Sequence, residues 1–299
     1  LPGRDRTLPA ILVMSHYDSV HNSPGAADDA SGTAAALEIA RALKASGPHA
    51  RDVIFLFTDA EEAGLLGADA FFSRDPSLSR VGLVVNMEAR GDAGRAAMFQ
   101  TGPGNGALVG LFAREAKGAS GNSMASTVYE KMPNDTDFTH AVNKGLPGLN
   151  LAFIDNQLAY HTPLARPDHL QRGSLQHMGD QVLPTVLALA NAPTLPAKTE
   201  NAIYSDVLGL FMIRYPPVVG WALLVIAAAL VGFSAWRALA GRGATGWEIA
   251  RGAAGLLLTA ASAGLVLHLV GRLLMIDGAQ RYYGLLTRFD FLLWGAGLL

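Results

Sequence analysis

Four short apolar runs punctuate the first half of the chain: PAILVMS (9–15), DVIFLFT (52–58), VGLVVNM (81–87) and PGLNLAFI (147–154). Each is rich in β-formers and each ends in polar residues. Continuous apolar runs of this length are what strands buried on both faces of a sheet require. Between them the apolar positions switch to helical spacing, predicting helices over 31–46, with Ser31 as cap, and over 62–72, 107–117 and 168–190. Strand and helix alternate, so the expected class is α/β, with a mainly parallel (mixed) sheet flanked by helices on both faces. Gly, Asn, Ser and Pro gather at 101–106 and 119–135, which read as loops. APTLPAKTEN (192–201) reads as the start of a linker.

Beyond that linker the pattern changes. No charged residue lies between Tyr215 and Trp236, and 252–270 is interrupted only by His268. Both stretches are long enough to cross a bilayer as helix. A third apolar stretch, about 289–299, reaches the last residue. The expected organisation is therefore a globular domain at 1–191, a linker at 192–214 and a transmembrane region at 215–299, with helices about 215–236, 252–271 and 289–299. The connection between the first two spans carries Arg237, Arg242 and Arg251 against Glu248. A positive loop is expected on the cytoplasmic side, which puts the globular domain on the non-cytoplasmic side, in a periplasm, a lumen or the exterior. The sequence starts at Leu1 rather than Met, with no signal or anchor before the globular part, and reads as a fragment lacking its beginning and its end.

Composition narrows the chemistry. Of 299 residues, 23 are Lys or Arg and 25 are Asp or Glu, for a formal net charge of −2. Without a basic cluster there is no reason to expect nucleic acid as a partner. With no cysteine, any metal must be held by His, Asp and Glu.

Ligands of open α/β sheets gather where the strands end, and the polar residues behind the four runs share that edge. His16 and Asp18 follow the first, Asp28 and Asp29 enter the first helix, and Asp59, Glu61 and Glu62 follow the second. Glu88 ends the third, and Tyr160 and His161 come after the fourth. Two histidines and several carboxylates form a hard-to-borderline donor set suited to zinc, manganese or cobalt. A pair of divalent ions needs a bridging carboxylate, and the inventory can supply one. Taken singly, His16 also reads as a strand-end histidine, Asp28 and Asp29 as helix caps, Glu61 and Glu62 as first-turn acids, and Tyr160 as packing. The remaining histidines, at 21, 49, 140, 169, 177 and 268, have no spacing partner.

In order, HYD, PGAADDASG, TDAEEAGLLG, NMEARG and YHTPLARPDHL resemble the motifs of the M28 family of zinc aminopeptidases, particularly its membrane-bound branch in endoplasmic reticulum, vacuoles and bacteria. The resemblance covers about residues 9–191 and implies a zinc-exopeptidase fold, two Zn²⁺ ions and a peptide substrate. It implies His16, Asp28, Glu62, Glu88 and His161 as metal ligands, with Asp28 bridging and followed by a peptide bond that is often cis. Asp18 would orient His16, Glu61 would be the general base, and Tyr160 would hydrogen-bond the developing oxyanion. Asp29 stands where Asn is common, and Glu88 where many soluble members have Asp, which leaves its coordination mode open. Asp137, in NDTDFTH, falls in a further family motif with a structural or site-rim role. The function implied is a membrane-anchored dinuclear zinc exopeptidase, an aminopeptidase. A carboxypeptidase or glutaminyl-cyclase-like enzyme on the same scaffold, and a catalytically inactive receptor-like or complex-subunit ectodomain, stand as alternatives. Oligomeric state is not legible.

Overall fold

The computed structural model describes residues 1–132 and 134–274. The chain forms two compact units, Leu1–Pro217 and Val218–Leu299. In the first, β1 (Ala10–His16), α1 (Ala30–Ala45), β2 (Val53–Thr58), α2 (Leu66–Arg74), β3 (Val81–Ala89) and β4 (Ala97–Thr101) follow in order. Then come α3 (Gly106–Glu115), α4 (Ser123–Tyr129), α5 (Phe138–Asn143), β5 (Gly148–Phe153), α6 (Arg172–Asn191), β6 (Ile203–Val207) and β7 (Phe211–Tyr215). Two further helices follow, α7 (Pro217–Ala240) and α8 (Gly246–Leu274).

Five strands make one sheet in the order β2-β1-β3-β5-β4. The first four run parallel, and β4 pairs antiparallel with β5. The sheet is thus mixed, α/β and helix-flanked, as the alternation of patterns predicts. Its central strands are buried on both faces, which is why their runs are continuous rather than alternating. Along β1, Ile11 and Val13 enter the larger core under α1, α3 and α6. Leu12 and Met14 enter the smaller one with Phe72 of α2 and Phe138 of α5.

Several elements depart from the sequence reading, the first being α4 (Ser123–Tyr129), a helix within the stretch 119–135 read as loop. The strand β4 was not predicted, because Ala97–Thr101 is a half-buried edge with alternating exposure rather than a continuous apolar run. The helix read from residue 62 begins at Leu66; Glu61 to Leu65 is instead a turn in which the Glu61 carbonyl accepts from Gly64 N and Leu65 N. The segment read as linker holds the antiparallel pair β6–β7, whose Tyr204 is 3% exposed within the larger core. Its Pro- and Lys-containing start masked the period-two pattern that follows.

In the second unit α7 and α8 are each long and apolar enough to cross a membrane. Most of their described apolar side chains are exposed. The third predicted span, 289–299, lies outside the described residues.

Candidate metal centre

Parallel pairing aligns the strand ends: His16 is opposite Thr58, and Glu88 opposite Ala152. His16 closes β1, Glu88 is the second-last residue of β3, and the turn holding Glu61 and Glu62 begins just past β2. One sheet edge therefore presents donors from every parallel strand end, with His161 supplied after β5.

Two groups of donors form there. Ligand atoms of His16, Asp29 and Glu88 lie within 4.8 Å of one another, and so do those of Asp28, Glu62 and His161. Asp28 joins them. Its Oδ1 is 3.1 Å from His16 Nε2 and its Oδ2 is 3.0 Å from His161 Nε2. Glu88 Oε2 is 3.6 Å from His16 Nε2, and Glu62 Oε1 is 2.8 Å from His161 Nε2. All five residues expected as ligands converge, and Asp28 lies between the two groups. The Asp28–Asp29 peptide bond is cis.

Asp18 stands behind this layer. Its backbone carbonyl is 3.1 Å from His16 Nδ1 and its Oδ1 is 3.4 Å from the same nitrogen. Its carboxylate also accepts from the backbone N–H groups of Glu61 and Glu62 at 3.0 and 3.2 Å. One residue thus holds both the imidazole, chiefly through its backbone carbonyl, and the glutamate turn, through its carboxylate, and a partner on the far nitrogen leaves Nε2 facing the cluster. Ala60 and His161, non-glycine residues at φ 57° and 58°, hold left-handed backbone beside the site, where such conformations are uncommon and tend to mark function.

Two contributions lay outside the sequence reading. Asp29, read there only as a helix cap, does cap α1 in place of Ser31, accepting from Gly32 N at 3.0 Å, while its fully buried Oδ2 has no hydrogen-bond partner and its carboxylate belongs to the first donor group. The doubled DD was the only signal. The second is a line of buried amides across the sheet. Asn86 Nδ2 is 3.1 Å from Glu88 Oε1 and 3.0 Å from Asn150 Oδ1. Asn150 Nδ2 in turn donates to Gln100 Oε1 at 3.1 Å and to Thr136 Oγ1 at 2.9 Å. Asn86, Asn150 and Gln100 are cross-strand neighbours on β3, β5 and β4. With Oε1 held by an amide, Glu88 turns Oε2 toward His16.

The electrostatics are those of a crowded acidic pocket. Burial pushes Glu61 up to about 9, with the Glu88 charge adding to it. Burial, then Glu88, also raises Asp29, and burial raises Glu88 itself. Burial by itself would lower both histidines, but hydrogen bonds to Asp28 lead the terms that outweigh it; His16 is raised and His161 is held at about 9. Asp28 would be raised by burial, yet its bonds to His16 and His161 bring it below the usual range. A carboxylate-rich, half-desolvated cluster with one buried oxygen lacking any partner suits cations. The donor set, imidazole nitrogens and carboxylates without sulfur, fits zinc.

Tyr160 lies flat on His161, with ring centroids 3.6 Å apart and planes at 17°, and the Arg90 guanidinium sits 5.3 Å from its ring centre. Asp137 is buried beneath the end of β2, hydrogen-bonded to Thr58. Of the other histidines, His49 bonds Leu43 O and Asn191, His140 stacks on Phe72, and His177 bonds Gly118 O. None of these three joins a donor group among the described residues.

A parallel-centred α/β sheet with two His–carboxylate groups meeting at its strand ends defines a class of metal-dependent hydrolase folds. The sequence comparison gives the family: residues 1–186 match peptidase family M28, and the chain belongs to that family. The resemblance seen in its motifs is borne out. Endoplasmic reticulum metallopeptidase 1 of Mus musculus is 40% identical over 228 residues, covering 74% of this chain and 25% of that protein. A vacuolar membrane protease of Yarrowia lipolytica is 31% identical over 240 residues, covering 77% and 24%. The chain thus spans about a quarter of the length of the curated relatives it matches. An aminopeptidase from Aneurinibacillus sp. strain AM-1 superposes with a TM-score of 0.52 at 24% identity, over 67% of this chain and 48% of that one, a likeness of fold.

Proposed function

We propose that this chain carries the catalytic unit of a membrane-anchored, dinuclear zinc exopeptidase that removes residues from peptide N-termini. The observation that carries this is Asp28, whose two oxygens face the Nε2 atoms of two histidines at 3.1 and 3.0 Å. A carboxylate so shared is the bridge that a two-ion site needs. His16 and Glu88, with Asp29 beside them, would hold one ion, and Glu62 and His161 the other. When bound, such ions polarise a carbonyl and lower the pKa of water to about 7.

The side chains divide the remaining work. Glu61, whose buried carboxyl has a high proton affinity, takes a proton from the attacking water and delivers it to the leaving amine. Glu62, one residue on, faces His161 instead, because Asp18 fixes the turn at both backbone N–H groups. Tyr160, pinned between His161 and Arg90, supports the developing oxyanion with its hydroxyl. Asp18 keeps His16 in the orientation that coordination requires. The helices α7 and α8 would anchor the unit in a bilayer, and the arginines between them support a peptidase on the non-cytoplasmic side.

The test is hydrolysis of aminoacyl amides, their N-acylated counterparts and peptides blocked at the carboxyl end, with and without a chelator. Chelator-sensitive turnover, restored by zinc and confined to substrates with a free amino group, is the expected result. Cleavage of N-acylated substrates from the carboxyl end would replace aminopeptidase by carboxypeptidase, and cyclisation of N-terminal glutamine would point to a cyclase. Tight zinc binding with no turnover on any of them would leave the receptor-like reading.

A further inference from the structure

The β6–β7 pair has two unlike faces. Opposite residues of an antiparallel pair share a face, so Ile203 with Tyr215, Ser205 with Ile213, and Val207 with Phe211 make one of them. This face bears no charge. Phe211 and Ile213 are 56% and 44% exposed on it, and the connecting turn carries Leu208 and Leu210, 89% and 76% exposed. An apolar turn of this exposure is unusual on a soluble domain, where such patches mark interaction sites.

The other face is firmly attached to the peptidase unit. Tyr204 OH is 2.7 Å from Ser126 Oγ and its backbone N–H donates to Ser123 Oγ at 2.7 Å. Asp206 accepts from Gly121 N at 3.1 Å and, across the turn, from Gly209 N at 2.9 Å. Arg95 donates to the Gly209 carbonyl. With its inner face so held, the hairpin cannot turn to bury the outer one.

What covers that outer face is indicated by the chain itself. β7 ends at Tyr215 and α7, apolar enough to span a bilayer, begins at Pro217. Only Pro216 lies between. A strand of five residues extends about 17 Å, so a hairpin standing upright would carry Leu208 and Leu210 clear of the headgroups. The apolar surface instead continues along the full length of the pair, and its end nearest α7 is a tyrosine, a residue favoured at bilayer interfaces. We infer that the outer face of β6–β7 lies on the bilayer surface, with the Leu208–Leu210 turn inserted among the acyl-chain ends. The occupant is lipid, held by apolar contact without a basic patch. The hairpin then seats the peptidase unit on the membrane, an inference that rests on the anchoring proposed above.

Because the chain has no cysteine, single Leu208→Cys, Leu210→Cys, Ser79→Cys and Leu224→Cys variants of the whole chain can each carry one environment-sensitive fluorophore. They are reconstituted in phosphatidylcholine vesicles with and without brominated acyl chains. Leu208 is nearly fully exposed, so its replacement leaves the fold intact. At 208 and 210 the expected result is blue-shifted emission, quenched by brominated lipid and protected from aqueous iodide, whereas the Ser79 probe remains open to iodide. Iodide quenching at 208 and 210 equal to that at Ser79 overturns the inference. Protection from iodide without quenching by brominated lipid overturns it too, and assigns the face to protein, either a second copy or another segment. The Leu224 probe, within α7, separates the two readings: quenched by brominated lipid, it leaves anchoring intact whatever the hairpin does; unquenched, it removes anchoring and this inference together.

Discussion

At the scale of single residues, the adjacent Glu61 and Glu62 show how one turn assigns two roles. Both backbone N–H groups bind Asp18, yet only Glu62 reaches His161. Glu61→Gln keeps the size of the side chain and removes proton transfer, so kcat should fall by about 10²–10⁴. Zinc content, measured by atomic emission, should equal that of the unmodified chain; loss of zinc in this variant would make Glu61 a ligand and the proposed base wrong. Asn86→Ala acts on the other side of the site. It frees Glu88 Oε1 from its amide and should weaken zinc affinity by about 10–100-fold in chelator competition, while Asn86→Asp, placing a second charge against Glu88, should weaken it further. The five expected ligands were legible through the ordered motifs that carry them, and His16, Glu62 and Glu88 also because they lie at or just past the end of an apolar run, where the strand meets the sheet edge. Asn86, Asn150 and Gln100 were not, since a cross-strand contact depends on register, and register is set by pairings between distant segments. Asp29 was read as a helix cap, which it is, but its place in the first donor group was not seen.

At the scale of elements, the continuous runs gave β1, β2, β3 and β5 within a residue or two, because burial on both faces leaves no room for ambiguity. The edge strand β4 and the β6–β7 pair escaped, being short, half-exposed and period-two. Asp52, at the foot of β2, shows how such elements are tied together. It accepts from Gly3 N at 2.7 Å and pairs with Arg80, in the turn before β3, and with Arg6 at 3.5 Å. Burial alone would raise its pKa, but the Gly3 N–H and then Arg80 more than offset this and hold it below the usual carboxylate value. A lowered folded-state pKa means that the unfolded chain binds the proton first as pH falls. The stabilisation is therefore complete above the ordinary value near 3.8 and disappears as pH drops through the folded value. Asp52→Asn should lower stability by about 1–3 kcal/mol at neutral pH, and urea midpoints of the two proteins should converge as pH falls below that of an ordinary aspartate. A difference that persists unchanged in acid would mean that the carboxylate charge is not what joins these segments.

At the scale of the whole molecule, the two compact units differ in what can stabilise them. The donor groups lie entirely within Leu1–Pro217, and the acidic crowding there raises Glu61, Asp29 and Glu88 through burial and mutual repulsion. Cations that bind the folded site and not the unfolded chain stabilise by mass action, by about 2.7 kcal/mol when free zinc is a hundred times its dissociation constant. All four tryptophans, Trp221, Trp236, Trp247 and Trp294, fall beyond Pro217. Tryptophan emission therefore reports only the second unit, whereas the sheet signal in far-ultraviolet circular dichroism comes from the first. Heating the detergent-solubilised chain with zinc or with a chelator should shift the sheet transition to higher temperature in zinc and leave the tryptophan transition where it is. A tryptophan transition that moves equally with zinc would mean that the units unfold as one and that the metal effect is not local to the strand ends. An unmoved sheet transition at saturating zinc would show that the site holds no ion tightly, and the case for a hydrolase built on Asp28 would fall with it.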